Sequence, residues 1–354
     1  MKKVDFIIVG NGIAGSIMAL HLKAHKKTFK IFSECSLSNS STIAAGMWNP
    51  IVFKRITKSW MADELIDYMQ TFYQSFEKIA GKSFYNNLPI IRQFSQTKEI
   101  EDWEIQRLKP GFRNYLGDFM QPELLNKNIH PKMGGAFVNK AGFVDVPIFL
   151  NETVLHLENE IINQKFIYKN INFEGEEIIY ENISANHCIF AEGWLIKDNP
   201  YFAYLPMVPA KGEIFTIKSV GLNLNEIANA GCFVLPLGND LYRVGSTYNW
   251  KDLDEIPTIE AKDELVKKLE NIIKTPYQIV NHFAGVRPSV KDRRPVLGRH
   301  PVHPNLSVFN GMGTKAIMLA PYFANHLIDH LVNNMQLNPE VDISRFQSMI
   351  GIYN

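Results

Sequence analysis

Cysteine is scarce in this chain of 354 residues, with three in all. Cys35, Cys188 and Cys232 stand far apart without CxxC or metal-type spacing, which excludes a disulfide framework and structural zinc. They read as reduced, mostly buried thiols of a cytoplasmic protein, and no metal site is expected. Net charge is also nearly absent: 37 Lys and Arg against 36 Asp and Glu leave +1. No global field therefore draws nucleic acid or an anionic membrane to the surface. No apolar run approaches the roughly 20 residues that span a bilayer. The opening MKKVDFIIVGNG is not expected to be a signal peptide, because Asp5 interrupts the apolar run and glycines break it. What is present is ample core material, 46% hydrophobic and 12% aromatic residues, which excludes disorder. The length suits two domains or one large domain carrying an insertion. No internal repeat or low-complexity linker is found.

The apolar run Phe6 to Val9 predicts a buried strand, followed by Gly10, Gly12 and Gly15 as GxGxxG and then a helical stretch from Ser16 to Lys23. Gly10 permits a tight turn, Gly12 lets backbone approach a pyrophosphate, and Gly15 allows the helix to pack close on the strand. Ile13 and Ala14 open that helix, whose N-terminus favours anions. This points to a dinucleotide, although a glycine-rich turn in another α/β protein, including a nucleoside-binding methyltransferase, fits the same pattern. Thr28 to Phe32 predicts the second strand. At its end Ser33 or Glu34 is placed to bond the adenosine ribose, an arrangement that opposes a 2′-phosphate.

Small residues recur between Ser36 and Pro50, and Ala44, Ala45 and Gly46 let backbone press against a flat ligand. Ser59 to Ile79 carries Met61, Leu65, Tyr68, Met69, Phe72 and Phe76 at helical spacing. From Gly81 to Lys132 the pattern weakens into short mixed elements. GGAFVNKAGFVDVPIFL then predicts a strand, a turn and a helix starting at Val146 or Pro147. His187 to Trp194 reads as a buried strand ending in a glycine turn, and GCFVLPLGNDLYRVGSTY as a hairpin turning at Gly238 and Asn239. A helix is expected over Ile259 to Ile273.

The order of these segments carries a resemblance. GxGxxG, Ala44 to Gly46, GFVDVP, FAEGW, PAKGEIF, VRP with DRRPVLG, and GMGTKAIMLAP resemble the D-amino-acid oxidase family of FAD enzymes over most of the length. Within it the chain is most similar to glycine oxidase and to the oxidase domain of the bifunctional tRNA aminomethyl-uridine modification enzyme. The resemblance implies an α/β fold, α+β overall. A Rossmann-like FAD-binding domain formed by residues 1–85, 140–205 and 281–354 is completed by the C-terminal segment. An inserted antiparallel-sheet substrate domain would take residues 86–139 and 206–280.

It implies noncovalent FAD, a small amine or amino-acid substrate of glycine, D-amino-acid or N-methyl type, and oxidation to an imine by hydride transfer to flavin N5. Oxygen or another acceptor would take the electrons. The family's carboxylate-binding arginine matches Arg287, whose planar fork offers a carboxylate two parallel N–H bonds; a structural ion pair is the competing role. Tyr248, after the predicted Leu241 to Thr247 strand, is expected to line the pocket, and Arg293 and Arg294 to be exposed loop charges. The cofactor contacts expected besides the first glycines are Ala191, Gly193, Gly285, Gly311, Met312, Gly313, Thr314 and Lys315. The last group lies at a helix N-terminus that can supply N–H donors. Glycine oxidase carries an arginine about where Thr314 stands, so substrate identity stays open. Two alternatives remain: a flavin oxidase of a modified tRNA base, against which the absence of a basic run speaks, and a nucleotide-binding module without turnover.

Overall fold

The computed structural model describes residues 1–34 and 40–349. Cys35 and the Ser36 end of the small-residue segment lie outside the described residues.

Strands Ile161–Asn163, Phe29–Ser33, Lys2–Val9 and Ile183–Phe190 form a parallel sheet in that spatial order. The second half of Ile183–Phe190 also pairs in parallel with Leu306–Asn310, itself antiparallel to Val296–Arg299. Strands from both ends of the chain thus share one sheet. Its central strands are apolar on both faces, as layers on each side require: Phe6, Ile7, Ile8 and Val9 are all buried. The first strand begins earlier than the apolar run suggests, because Lys2 and Lys3 extend the ladder against Ile183 and Ser184. The second strand runs one residue later than expected, from Phe29 to Ser33.

Helices Ile13–Ala24, Ala62–Ala80 and Ala316–Asn333 pack together on one face of this sheet. The first starts at Ile13 rather than Ser16, capped by Gly12. The second starts at Ala62 because Met61 adopts φ 50°, a left-handed conformation that cannot begin a helix. The third contains Pro321, which leaves the Ile317 carbonyl without its helical donor. The buried Tyr73 hydroxyl donates to that carbonyl at 3.0 Å. One tyrosine therefore repairs the proline defect and ties two helices together. Phe323, Leu327 and Ile328 are fully buried beside it, each contributing about 1.5–3 kcal/mol.

The second sheet has eight strands in the order Gln278–Arg287, Ala210–Lys218, Leu241–Gly245, Phe233–Gly238, Ile227–Asn229, Ile90–Gln93, Gly135–Val138 and Leu116–Met120. All neighbours are antiparallel except Ile227–Asn229 with Ile90–Gln93. Helix Ile259–Glu270, shorter than the expected 259–273, covers one face through Leu265 and Leu269. The hairpin turns at Asn239 and Asp240, both at positive φ, one residue later than expected. The Leu241 strand ends at Gly245, before Thr247. Strand Ile183–Phe190 likewise ends short of Trp194, with Gly193 at φ 60° opening a 3-10 turn. Helix Val146–His156 begins as predicted, with the Asp145 carboxylate accepting from Ile148 N–H. Helix Thr97–Arg107, inside the weakly patterned segment, was not expected. It buries only Trp103, so it has no apolar stripe to announce it.

Candidate active site

The glycine turn is built as its spacing requires. Gly10 sits at φ 101°, and a side chain there would press on the Ala191 carbonyl, 2.6 Å from its Cβ. A Cβ on Gly15 would overlap the Gly10 carbonyl outright. The Ala191 N–H donates to Val9 O at 2.8 Å, so the two parallel strands and the helix start meet at one point. Gly12 faces Ser41, whose Oγ accepts from Ile13 N–H at 3.1 Å. The N–H groups of Gly12 and Ala14 donate to nothing among the described residues. Two free amides at a helix N-terminus, with glycine in place of bulk, fit a diphosphate. Ser33 ends its strand half-buried beside Asn163, and Glu34 is exposed next to it.

The segment Ala44–Gly46 runs from Arg243 of the second sheet, which donates to Ala44 O, to strand Gly142–Val144. Gly46, at φ 68°, leaves no room for a side chain beside the Val144 carbonyl, and its own carbonyl accepts from Val144 N–H at 3.0 Å. Ala44 and Ala45 stay half-buried. Gly285 is where this segment crosses the second sheet: Ser40 Cα lies 3.2 Å from the site of its Cβ, and Ser40 Oγ donates to Val286 O at 2.7 Å. Gly285 therefore serves passage of the chain rather than open contact with a ligand.

At the last helix, Gly311 N–H donates to Asn310 Oδ1 at 2.7 Å and Gly313 N–H to Pro288 O at 3.2 Å. These two amides are spent. Met312 and Thr314 keep N–H groups with no acceptor among the described residues, so the donors expected here come from every second position. Asn310 Nδ2 also holds Gly193 O at 2.9 Å. Lys315 donates to Ser59 Oγ at 2.9 Å, and Ser59 to Asn49 O at 3.0 Å. Burial lowers the Lys315 ammonium below the usual lysine value, with Arg294 and Arg293 adding to the effect. It lines a cavity of about 230 Å³ with Met47, Trp48, Ser59 and Thr314.

Arg287 ends the edge strand of the second sheet. Its side chain lies across Gly212, where any Cβ would overlap the guanidinium. Its fork donates to Lys211 O at 3.2 Å, Ser246 Oγ at 2.8 Å and Thr247 O at 3.1 Å. The guanidinium stacks on the Tyr248 ring, 4.1 Å from its centroid. All of these partners are neutral, and no described carboxylate pairs with it. Burial accordingly holds its pKa below the ordinary arginine value. The structural ion pair weighed from sequence is absent among the described residues. Tyr248 is 52% exposed and stacks with Trp250 at 5.9 Å, forming the rim of this wall.

Arg294 departs from expectation. Instead of being a free loop charge, it pairs with Glu340 at 3.1 Å and stacks on Trp60 at 4.4 Å. Arg293 is exposed at φ 60°. Ser41, Ser246, Arg243 and Glu192 were missed. Glu192 accepts from Tyr168 Oη at 2.6 Å and Asn199 Nδ2 at 2.8 Å directly behind the Gly10 turn, and burial pushes its carboxyl up to about 7. Its place in FAEGW, flanked by apolar residues at a strand end, was the one available signal. Cys188 and Cys232 are buried and unpaired. No described helix is long and apolar enough to cross a membrane.

Comparison with known proteins bears on the family and the fold. A family model described as FAD dependent oxidoreductase matches residues 5–330. Glycine oxidase of Bacillus subtilis (strain 168) is 21% identical over an alignment covering 96% of this chain and 95% of that protein. The bifunctional tRNA 5-methylaminomethyl-2-thiouridine biosynthesis protein of Idiomarina loihiensis is 27% identical over 97% of this chain and 59% of its own length. The chain spans about three-fifths of that relative. Glycine oxidase from Geobacillus kaustophilus shares the fold with a TM-score of 0.81 at 18% identity, covering 98% of both chains.

Proposed function

Because the chain belongs to the family of FAD dependent oxidoreductases, we propose that it dehydrogenates a small amine or amino acid of glycine, D-amino-acid or N-methyl type to an imine, with Arg287 holding the substrate carboxylate. The observation that carries this reading is the Arg287 fork, half-buried, fixed by neutral acceptors and paired with no described carboxylate. An uncompensated buried cation is costly. A substrate carboxylate compensates it.

Residues 1–85, 140–205 and 281–354 are assigned to cofactor binding and residues 86–139 and 206–280 to the substrate side. The Gly12 and Ala14 amides would hold the diphosphate, Ser33 or Glu34 the ribose, and Ala44 to Gly46 the flat ring. Met312 and Thr314 N–H groups, with the Lys315 charge, would face electron-rich oxygens of the flavin. When bound, FAD takes the two electrons from the substrate C–N bond and passes them to oxygen or another acceptor. The protein's own part is positioning. Arg287 fixes one end of the substrate and Tyr248 stiffens Arg287, so that the carbon bearing the amine meets the cofactor in one orientation. The buried, unpaired thiols suit a reducing cytoplasm.

The test is anaerobic titration of the holoenzyme with glycine, D-amino acids and N-methyl amino acids, following the flavin absorbance band. Bleaching by members of this set is expected; a panel without effect overturns the reading. A modified tRNA base is the second reading, favoured by the exposed Tyr248 and Trp250 pair, which offers a stacking surface. Retention of tRNA in a filter-binding assay would support it.

A further inference from the structure

Half-buried arginines in this protein fall into three groups. Arg92 pairs with Glu99, Arg107 with Glu104 and Asp118, Arg294 with Glu340, and Arg345 with Asp292. Arg299, at the end of strand Val296–Arg299, is held by the Pro304 and Leu331 carbonyls and lies 3.4 Å from His187 Nδ1. Arg287 and Arg243 differ: both belong to the second sheet, and neither has a described carboxylate partner.

The register sets them on one face. Arg243 lies opposite Thr216, and Arg287 opposite Ala210, on the same strand. Positions 210 and 216 differ by an even number, so both side chains project from the same side of the sheet. Gly212 and Gly285, which face each other between them in register, share that side. The Arg287 fork is fixed at Ser246, three residues along the chain from Arg243 and just past the end of its strand. Among the described residues Arg243 makes one hydrogen bond, from Nη1 to Ala44 O at 3.2 Å. Its Nε is buried and meets no acceptor among the described residues. Asp145 is the acidic group that acts on it, from beyond ion-pair distance while capping a helix. Across the sheet it faces Leu235 on one side, which brings no acceptor, and Thr216 on the other, with no hydrogen bond to it among the described residues.

A loop clamp would need only one of the five guanidinium donors. It would not call for a half-buried guanidinium that has no carboxylate partner among the described residues and a buried Nε without an acceptor, a charge that a bound anion would compensate. From this we infer that Arg243 is a second anion-binding residue of the substrate site, and that the substrate is an amine carrying two carboxylates. The inference rests on the reading that Arg287 takes the first carboxylate. Arg243 fixes the far acid, and Arg287 the acid next to the reacting carbon.

The experiment is spectral titration of the holoenzyme with carboxylates that have no amine to oxidise, in matched pairs: butanoate against succinate, and pentanoate against glutarate. Perturbation of the flavin spectrum reports binding without turnover. At least one diacid is expected to bind ten-fold or more tighter than its monoacid. Arg243→Met is expected to bring that ratio near one, while Arg287→Met weakens every ligand. Equal affinities within both pairs in the wild-type protein overturn the inference, as does a ratio that Arg243→Met leaves unchanged. Where Arg243→Met does not retain flavin, Arg243→Lys decides: a ratio between the wild-type value and one supports the inference, and an unchanged ratio overturns it. If no carboxylate perturbs the spectrum at all, the Arg287 reading itself fails, which is a separate result from diacids and monoacids binding alike.

Discussion

The two walls of the site are made of different material. The wall on the parallel sheet is backbone: amides of Gly12, Ala14, Met312 and Thr314 that meet no acceptor among the described residues, and positions where only glycine fits. The wall on the antiparallel sheet is side chain: Arg287 stacked on Tyr248, Arg243 reaching Ala44, and Ser246 holding the fork. Backbone donors are fixed once the turn forms and cannot be retuned without breaking the fold. Side chains on strands can be exchanged singly. Under the proposed function this difference would separate a constant task, holding the cofactor, from a variable one, choosing the substrate.

Gly15→Val tests the rigid wall and has the largest expected effect. Its Cβ would overlap the Gly10 carbonyl, so the variant should lose bound flavin and more than about 3 kcal/mol of stability. Absorbance of the purified protein and its denaturation midpoint check this, and a yellow, stable variant would show that the turn can yield. On the other wall, Arg287→Ala should leave flavin content intact. It should weaken carboxylate ligands by about 2–4 kcal/mol, the cost of breaking a charge-assisted pair, as read by spectral titration.

Glu192 sits behind the rigid wall and sets a pH dependence. Its carboxyl is raised to about 7 in the folded protein, against an unfolded value near 4.3. The folded state therefore holds a proton that the unfolded chain releases. Stability is full below about pH 4.3 and falls as pH rises toward 7, by about 2 kcal/mol after allowance for residual solvent. Glu192→Gln should flatten that slope in denaturant titrations run from pH 5 to 8; a slope equal to the wild type's would remove Glu192 as its origin. The smallest effect is expected for Tyr248→Ala. Loss of the stacked ring should cost carboxylate ligands about 0.5–1 kcal/mol at this half-exposed position, without changing flavin retention, and an unchanged Kd would reduce Tyr248 to a rim residue.

Local chemistry was readable before any coordinates. GxGxxG announces its turn because its three glycines act on atoms a few residues away, and Asp145 before Val146 announces a helix start for the same reason. The helix over Thr97–Arg107 was not readable, since one buried tryptophan leaves no periodic stripe. The hairpin was found but misplaced by one residue, because Gly238, Asn239 and Asp240 all tolerate positive φ and only the pairing of Gly238 with Leu241 chooses among them. Arg294 looked like a loop charge because nothing nearby in sequence reveals Glu340 as its partner.

The sequence by itself determined the nucleotide turn, the family resemblance and the presence of an arginine at 287, since each is written in residues that are neighbours along the chain. Only the tertiary structure decided which charges are paired with a carboxylate and which, among the described residues, are not. Arg287 and Arg243 are 44 positions apart, and the strand between them, Ala210–Lys218, sets their common face. Whether a buried cation is satisfied depends on every group that folding brings within a few ångströms, and sequence spacing does not carry that information.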